Sequence, residues 1–189
     1  MKRVRIISTR RDYSNDWIQI FKSKVELHNG KKVTWFTPRL GDFVVVVPIQ
    51  GTKVYLTKEW RIAWKKHLII PPAGALGSKQ KTEGQRVRQA KNELREEVGF
   101  DAKSIIKLGQ FSVSSRIRSR CYVYLATSLF RNKKTRDEGE YIETVKMPFE
   151  KALRWSLSGR LPTTSYTIAA LAMAKQALES KTVNEAVTH

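Results

Sequence analysis

Apolar residues recur along the first part of the chain in short runs separated by polar turns, a pattern that predicts β-strands. Residues 43–49 are nearly all apolar and predict a buried strand, and a turn at 50–53 separates it from a second strand at 54–57. Upstream, residues 25–27 and 33–36 flank an Asn-Gly turn, which is a strong hairpin signal. The first 40 residues are therefore predicted to be rich in β-structure.

Helical spacing begins after a Gly-rich polar stretch, 73–84, that predicts a loop. Thr82 and Gln85 have the spacing of a capping box, and Gly99 stands where a helix would end. Between them four apolar residues fall on one stripe. They are Val87, Ala90, Leu94 and Val98.

The remaining chain predicts further strands followed by helices. Strands are expected at 105–113, 117–127 and 141–146, then helices at 148–157 and 164–178. The order predicts a mixed α/β fold. The chain is predicted to divide into a β-rich extension at 1–40, a main domain at 41–179 and a flexible tail at 180–189.

Charge changes this picture, because 36 Lys and Arg against 17 Asp and Glu give the 189 residues a net charge of +19. Such an excess points to an anionic partner: a nucleic acid, an acidic membrane surface or a phosphorylated small molecule. Cys121 is the single cysteine, so no internal disulfide is expected. Without an apolar run of spanning length or a secretory signal, a cytoplasmic location is expected.

The scarce acidic residues concentrate on the predicted helix. Glu93 and Glu97 share one face, with Glu96 beside them, and the apolar stripe borders that face. Three carboxylates so close together repel one another unless a cation neutralises them. Oxygen ligands on one helix suit Mg²⁺ or Mn²⁺. The alternative is an ordinary solvated acidic face.

With its surroundings, this cluster resembles the signature of the Nudix hydrolase superfamily, G-x5-E-x7-R-E-U-x-E-E-x-G-U, where U is aliphatic. The second half of the signature matches at Glu93, Leu94, Glu96, Glu97, Gly99 and the apolar Phe100. In the first half the spacer after Gly74 is longer, Gly84 stands at the glutamate position and Asn92 at the arginine position. In the family that arginine orients the glutamates, and Arg86 or Arg95 is a candidate to replace it.

The resemblance extends over residues 17–178 and is greatest to the ADP-ribose and ADP-sugar pyrophosphatase branch. It is carried by the segments 40–42, 59–61 and 70–74, and by Gly159 with 163–171 in the last helix. It implies an α/β/α sandwich and an N-terminal extension that commonly mediates homodimerisation. It also implies Mg²⁺-dependent hydrolysis of a nucleoside-diphosphate sugar, with ADP-ribose the expected substrate, giving AMP and a sugar phosphate.

The family roles transfer to positions that match its motifs. Glu93 and Glu97 would hold Mg²⁺ or Mn²⁺, helped by Glu96 and the Ala73 carbonyl, and Arg61 would contact the diphosphate. The metal would activate a water that attacks phosphorus. Glu96 and Glu97 would therefore also be catalytic. The family places a further acid on a late loop, and Glu138 or Glu140 fits it as a metal ligand or general base. A solvated turn is the alternative there.

A basic row lies at the start of the predicted strand at 117–127. Arg116, Arg118 and Arg120 alternate with smaller or apolar residues, so they would point to one face and bind a diphosphate, a longer polyphosphate or an RNA 5′ end. The alternative functions are therefore a catalytically impaired module that binds nucleotide or RNA, and an RNA 5′-end pyrophosphohydrolase. Tryptophans could stack on adenine, but packing or a dimer contact is expected for Trp17, Trp35, Trp60 and Trp64.

Overall fold

The structure is a computed structural model that describes residues 4–77, 80, 82–135 and 141–187, with side chains described as far as residue 180. The first three strands form an antiparallel sheet in sequence order. They are β1 (Arg5–Ser14), β2 (Ile18–Glu26) and β3 (Lys32–Leu40). The Asn-Gly hairpin predicted from the sequence is confirmed as the β2–β3 turn, with Gly30 at φ +80°.

The second sheet has seven strands within the described residues and is mixed, as predicted. Its central order is β10-β5-β4-β9-β8, with β6 on β5 and β7 on β4. The strands are β4 (Phe43–Gln50), β5 (Lys53–Arg61), β6 (Lys66–Ile70), β7 (Ala73–Ala75), β8 (Phe100–Ser112), β9 (Arg120–Arg131) and β10 (Ile142–Pro148). Strands β4 and β9 run parallel, and the other pairs run antiparallel.

Helices cover both faces of this sheet, which confirms the predicted α/β/α sandwich. Alternate side chains of β4 divide between two cores, since Val44 and Val46 pack towards α1 (Glu83–Glu97). Val45 and Val47 pack towards α2 (Phe149–Leu157) and α3 (Ser165–Val187). In the described part of the chain no helix is long and apolar enough to cross a membrane.

Several predicted boundaries are corrected by the structure. Strand β9 begins at Arg120, because residues 113–119 form bends and an isolated bridge from Arg118 to Arg39 instead of a continuous ladder. The predicted loop 73–84 contains the short strand β7, which pairs with β4. The predicted tail at 180–189 is helical as far as Val187.

The strands β4 and β5 separate soon after their shared turn, and this divergence creates the site. Their described pairing is limited to Ile49 with Val54 and Gln50 with Lys53. Strand β5 then pairs with β6, and the chain crosses through Pro71 and Pro72 to join β4 as β7. The open end of the sheet therefore gathers the end of β5, the crossing segment and β7.

Candidate active site

Two glutamates of α1 lie buried against β7. Glu93 is 9% exposed and Glu97 is 5% exposed. The backbone N–H of Ala73 donates to Glu97 Oε2 at 3.2 Å. A Cβ added at Gly74 would lie 1.8 Å from Glu93 Oε1, so only a glycine leaves room for that carboxylate. The carboxylates of Glu97 and Glu93 therefore lie against the backbone of two consecutive residues, Ala73 and Gly74.

Local sequence explains why the helix turns these acids inwards. The capping box of Thr82 and Gln85 is present as predicted and fixes where α1 begins. The buried Ala90 and Leu94 pack on β4, and Gly99 at φ +74° ends the helical turn. Glu93 and Glu97 flank this apolar stripe, so packing the stripe also carries the acids to β7.

The third glutamate of the motif is engaged elsewhere. Glu96 forms an ion pair with Lys134, which lies shortly after the end of β9. Among the residues that the structure describes, no group of three or more His, Cys, Asp or Glu side chains is arranged to hold a metal ion. The structure thus brings Glu93, Glu97 and Ala73 together, and leaves Glu96 in a different contact.

The described contacts of the two arginines considered as replacements for the family arginine are the following. Arg95 donates to Asn92 Oδ1 at 2.6 Å and lies 3.7 Å from Asp101 Oδ2. Arg86 pairs with Glu83 at 3.2 Å and stacks on the ring of Tyr122 at 4.3 Å.

Glu83 belongs to a polar cluster at the other end of α1. The Tyr124 hydroxyl donates to its Oε1 at 2.7 Å, and Lys107 and Arg86 reach its Oε2 at 3.1 and 3.2 Å. Burial raises the pKa of Glu83, but these hydrogen bonds and charges outweigh it and leave the pKa below its ordinary value. The cluster fastens the start of α1 to β8 and β9.

Side-chain amides connect Glu93 to the loop before the helix. Gln89 Nε2 donates to Glu93 Oε1 at 2.5 Å, and Gln80 Nε2 donates to Gln89 Oε1 at 2.9 Å. The Gly77 N–H in turn donates to Gln80 Oε1 at 2.6 Å. Sequence reasoning missed both glutamines, although the position of Gln89 four residues before Glu93 is a signal that could have identified one of them.

A cavity of about 820 Å³ lies beside this loop. Arg118 and Arg120 line it, as the basic row predicts, together with Arg39 and Arg86. Arg116 is exposed and is not among the lining residues. The cavity begins where β7 ends, because Ala75, Leu76 and Gly77 form part of its wall. The carboxylates of Glu93 and Glu97 therefore lie at the start of the segment 73–77, and the arginine-lined cavity lies at its end.

Arg61 lies at the open end of β5. It forms an ion pair with Glu59 at 2.5 Å, and Glu59 also accepts a hydrogen bond from the Thr57 hydroxyl at 2.8 Å. Burial raises the pKa of Tyr166, and the nearby charge of Arg61 opposes that rise. Tyr166 packs edge-on against Phe43 of β4, which places the end of β5 near the start of β4.

Other predicted residues divide into three groups. Glu138 and Glu140 lie outside the described residues. Cys121 is fully buried, and burial raises the pKa of its thiol to about 12, which supports the expected inert role in the core. The tryptophans expected to pack or form a dimer contact are largely exposed: Trp17, Trp35, Trp60 and Trp64.

The residues at β7 fit a divalent cation. The two buried carboxylates supply hard oxygen ligands of the kind that Mg²⁺ and Mn²⁺ prefer, and Ala73, whose N–H donates to Glu97, is the residue whose carbonyl was expected to help. The glycine at position 74 brings one of those carboxylates into contact with the backbone.

Comparison with known proteins finds two curated relatives that align along most of the chain. The chain is 28% identical over 181 residues to the ADP-ribose pyrophosphatase of Bacillus subtilis, covering 93% of this chain and 95% of that protein. It is 26% identical over 167 residues to the methanol dehydrogenase activator of Bacillus methanolicus, covering 86% and 88%. No protein-family model matches the chain.

A solved structure shows the same fold. The crystal structure of an ADP compounds hydrolase superposes with a TM-score of 0.82 at 19% identity, covering 96% of this chain and 97% of that one. These likenesses span nearly the whole chain and support the resemblance carried by the motif on α1.

Proposed function

We propose that this chain is a hydrolase of nucleoside-diphosphate sugars, with ADP-ribose as the first substrate to test. Its likenesses to known proteins support assignment to the ADP-ribose pyrophosphatase branch of the Nudix superfamily. The observation that carries the proposal is that Glu93 and Glu97 of α1 lie against β7, and β7 continues directly into the wall of an arginine-lined cavity. A diphosphate could then meet the acids while the rest of the nucleotide lies in the cavity.

The proposed cation is Mg²⁺ or Mn²⁺, with Glu93, Glu97 and the Ala73 carbonyl as ligands from this chain. When bound, such an ion lowers the pKa of a water and offsets charge on phosphoryl oxygens. The Ala73 N–H holds Glu97 in place, and Gly74 leaves room for Glu93. These contacts orient both carboxylates before any ligand arrives.

The remaining residues would orient the diphosphate and move a proton. Arg61, held by Glu59, would donate to phosphoryl oxygens, and Arg118 and Arg120 would hold the part of the substrate that enters the cavity. Water attacks one phosphorus and the bond to the bridging oxygen breaks, so ADP-ribose and water give AMP and ribose 5-phosphate. Glu138 or Glu140 remains the predicted metal ligand or general base, and a catalytic role for Glu96 requires it to leave Lys134.

The experiment is incubation of the full chain with ADP-ribose and Mg²⁺, with AMP and ribose 5-phosphate measured by chromatography. Other nucleotide sugars run in parallel identify the preferred substrate, and an excess of EDTA should stop the reaction. If none of these compounds yields a nucleoside monophosphate with Mg²⁺ or Mn²⁺, the proposed activity is wrong.

A second candidate function is binding of RNA through basic residues, or hydrolysis at an RNA 5′ end. The net charge of +19 favours it, as does the exposure of Arg116, Arg118 and Arg120. Binding of this kind releases counterions, so its affinity should fall steeply between about 50 and 200 mM salt. Affinity that is absent, or that ignores salt, would remove this candidate.

We also propose that the extension at 1–40 mediates a homodimer in a cytoplasmic enzyme. The three-stranded sheet exposes large apolar side chains, including Ile6, Trp17 and Phe36. Light scattering after size exclusion should give twice the 21.8 kDa of one chain, and Phe36→Glu should shift it towards one. A native protein that stays monomeric at micromolar concentration would contradict the proposal.

A further inference from the structure

The carboxylate of Glu93 needs a donor to hold it, because it is buried beside β7 and lies one helical turn from Glu97. In the family motif that this helix resembles, an arginine orients the glutamates, but Asn92 stands at that position here. Asn92 instead accepts from Arg95. Gln89 is the side chain that donates to Glu93 from within the same helix.

The chain of amides has a fixed polarity. Its outer end is the Gly77 N–H, which can only donate, so Gln80 must present its carbonyl there and its NH₂ group to Gln89. Gln89 must then present its carbonyl to Gln80 and its NH₂ group to Glu93. A backbone donor at one end and a carboxylate at the other therefore determine the orientation of both amides.

A neutral donor has a different consequence from a charged one. An arginine donor brings a full positive charge to a carboxylate, whereas an amide donor orients a carboxylate without adding charge. The hydrogen-bonded series from Gly77 through Gln80 and Gln89 to Glu93, here called the relay, also connects Glu93 to the loop before α1. Gly77 and Gln80 belong to that loop and line the cavity.

We infer that Gln89 and Gln80 are positioning residues that hold the Glu93 carboxylate for a divalent cation. The inference rests on the proposed function, because it assumes that Glu93 is a metal ligand. Outer partners of metal ligands commonly change metal affinity by roughly 10- to 100-fold when removed. Gln89, which contacts Glu93 directly, should matter more than Gln80.

The test is a calorimetric titration of the full chain with Mn²⁺ alone, so its readout does not depend on turnover. Gln89→Met keeps the length of the side chain without its donor and should weaken Mn²⁺ binding about tenfold. Gln80→Met should act in the same direction with a smaller effect. Gln176→Met, at an exposed position on α3, is the matched control and should bind Mn²⁺ as the native chain does.

Further measurements separate positioning from a general loss of structure. The melting temperature without metal should be unchanged in both variants, and their effects on Mn²⁺ affinity should be less than additive because they interrupt one relay. If Gln89→Met does not fold, Gln89→Asn, whose amide is one methylene short of Glu93, decides in its place. Native Mn²⁺ affinity in a folded Gln89 variant would overturn the inference.

Failure of the inference can be distinguished from failure of the proposed function. A native chain that binds Mn²⁺, with Gln89 variants that bind it equally well, contradicts the relay and leaves the metal site standing. A native chain that binds no Mn²⁺ overturns the metal site and the role of the relay together.

Discussion

The two ends of α1 carry glutamates in opposite circumstances. At the C-terminal end Glu93 and Glu97 are buried against a backbone strand and receive neutral N–H donors from an amide and from Ala73. At the N-terminal end Glu83 is half-exposed and lies among Lys107, Arg86 and the Tyr124 hydroxyl.

The donors described at the two ends differ: those at Glu93 and Glu97 are neutral N–H groups, and those at Glu83 include two cationic side chains. Cations of the protein surround Glu83, so its charge contributes to holding α1 on the sheet. The acids at β7 receive hydrogen bonds from the amide of Gln89 and the N–H of Ala73, and they are the proposed ligands of a cation from solution. Substitutions at the two ends should therefore affect different measurements.

The largest expected effect is loss of turnover in Glu97→Gln. The variant keeps the shape of the side chain and can still accept from the Ala73 N–H, but it loses the charge of a proposed metal ligand. Turnover of ADP-ribose should fall by more than about a hundredfold, the upper end of what removal of an outer partner costs. The melting temperature without metal should change little.

Glu179→Gln, on an exposed part of α3, is its matched control and should hydrolyse ADP-ribose at the native rate. Comparable turnover in Glu97→Gln and the control would show that the acids at β7 are not the catalytic ones.

The next effect should come from Gly74→Ala, which tests the close approach at β7. Its Cβ would lie 1.8 Å from Glu93 Oε1 and would displace that carboxylate. Overpacking of this kind costs about 1–3 kcal/mol, and turnover should fall at least about tenfold as Glu93 moves away.

Gly84→Ala provides the contrast at the other end of the helix. Its Cβ would meet nothing closer than 4.0 Å, and alanine should stabilise α1 by about 0.5–1 kcal/mol with turnover unchanged. Thermal melts and a turnover assay on both variants decide the matter. Equal turnover in Gly74→Ala and Gly84→Ala would mean that the reaction does not need the space that Gly74 leaves for Glu93.

The two ends of α1 also differ in how much of their structure the sequence predicted. The spacing of Glu93 and Glu97 beside an apolar stripe predicted their common face, and the capping box predicted where the helix starts. The contacts of Glu83 with Lys107 and Tyr124 depend on which strands pass beside α1, so helical spacing alone could not supply them. The contact of Gln80 with Gln89 depends likewise on the path of the loop before α1.

The basic segment shows a similar limit. Arg118 and Arg120 reach the cavity as expected, but the strand prediction that grouped them with Arg116 failed. Residues 113–119 bend away from a ladder because Arg118 bonds through its backbone to Pro38 and Leu40 of β3. A contact so distant in sequence leaves no local pattern.

A smaller effect is expected from Arg118→Ala, which tests whether the cavity belongs to the same site as β7. Loss of a hydrogen bond from a charged donor costs about 1.5–3 kcal/mol, so the KM for ADP-ribose should rise about tenfold with kcat nearly unchanged. Arg116→Ala is the control, since that exposed residue is not in the cavity wall. If the two variants have the same KM, the cavity does not bind the substrate.

The smallest effect should be found at Glu83, and it should depend on pH. The pKa of Glu83 is below its ordinary value of 4.5 in the folded chain, so its contribution to stability is present above that pH and is lost as the pH falls through the folded value. Glu83→Gln should therefore lower the free energy of unfolding at pH 7 by about 1 kcal/mol or less, as expected for partly exposed ion pairs. Urea unfolding of both proteins should show this gap at pH 7 and a smaller gap in acid, with turnover of ADP-ribose preserved at neutral pH. A loss of turnover as large as that of Glu97→Gln would show instead that both ends of α1 take part in the reaction, because a structural anchor should change the stability of the helix without changing the charge at β7.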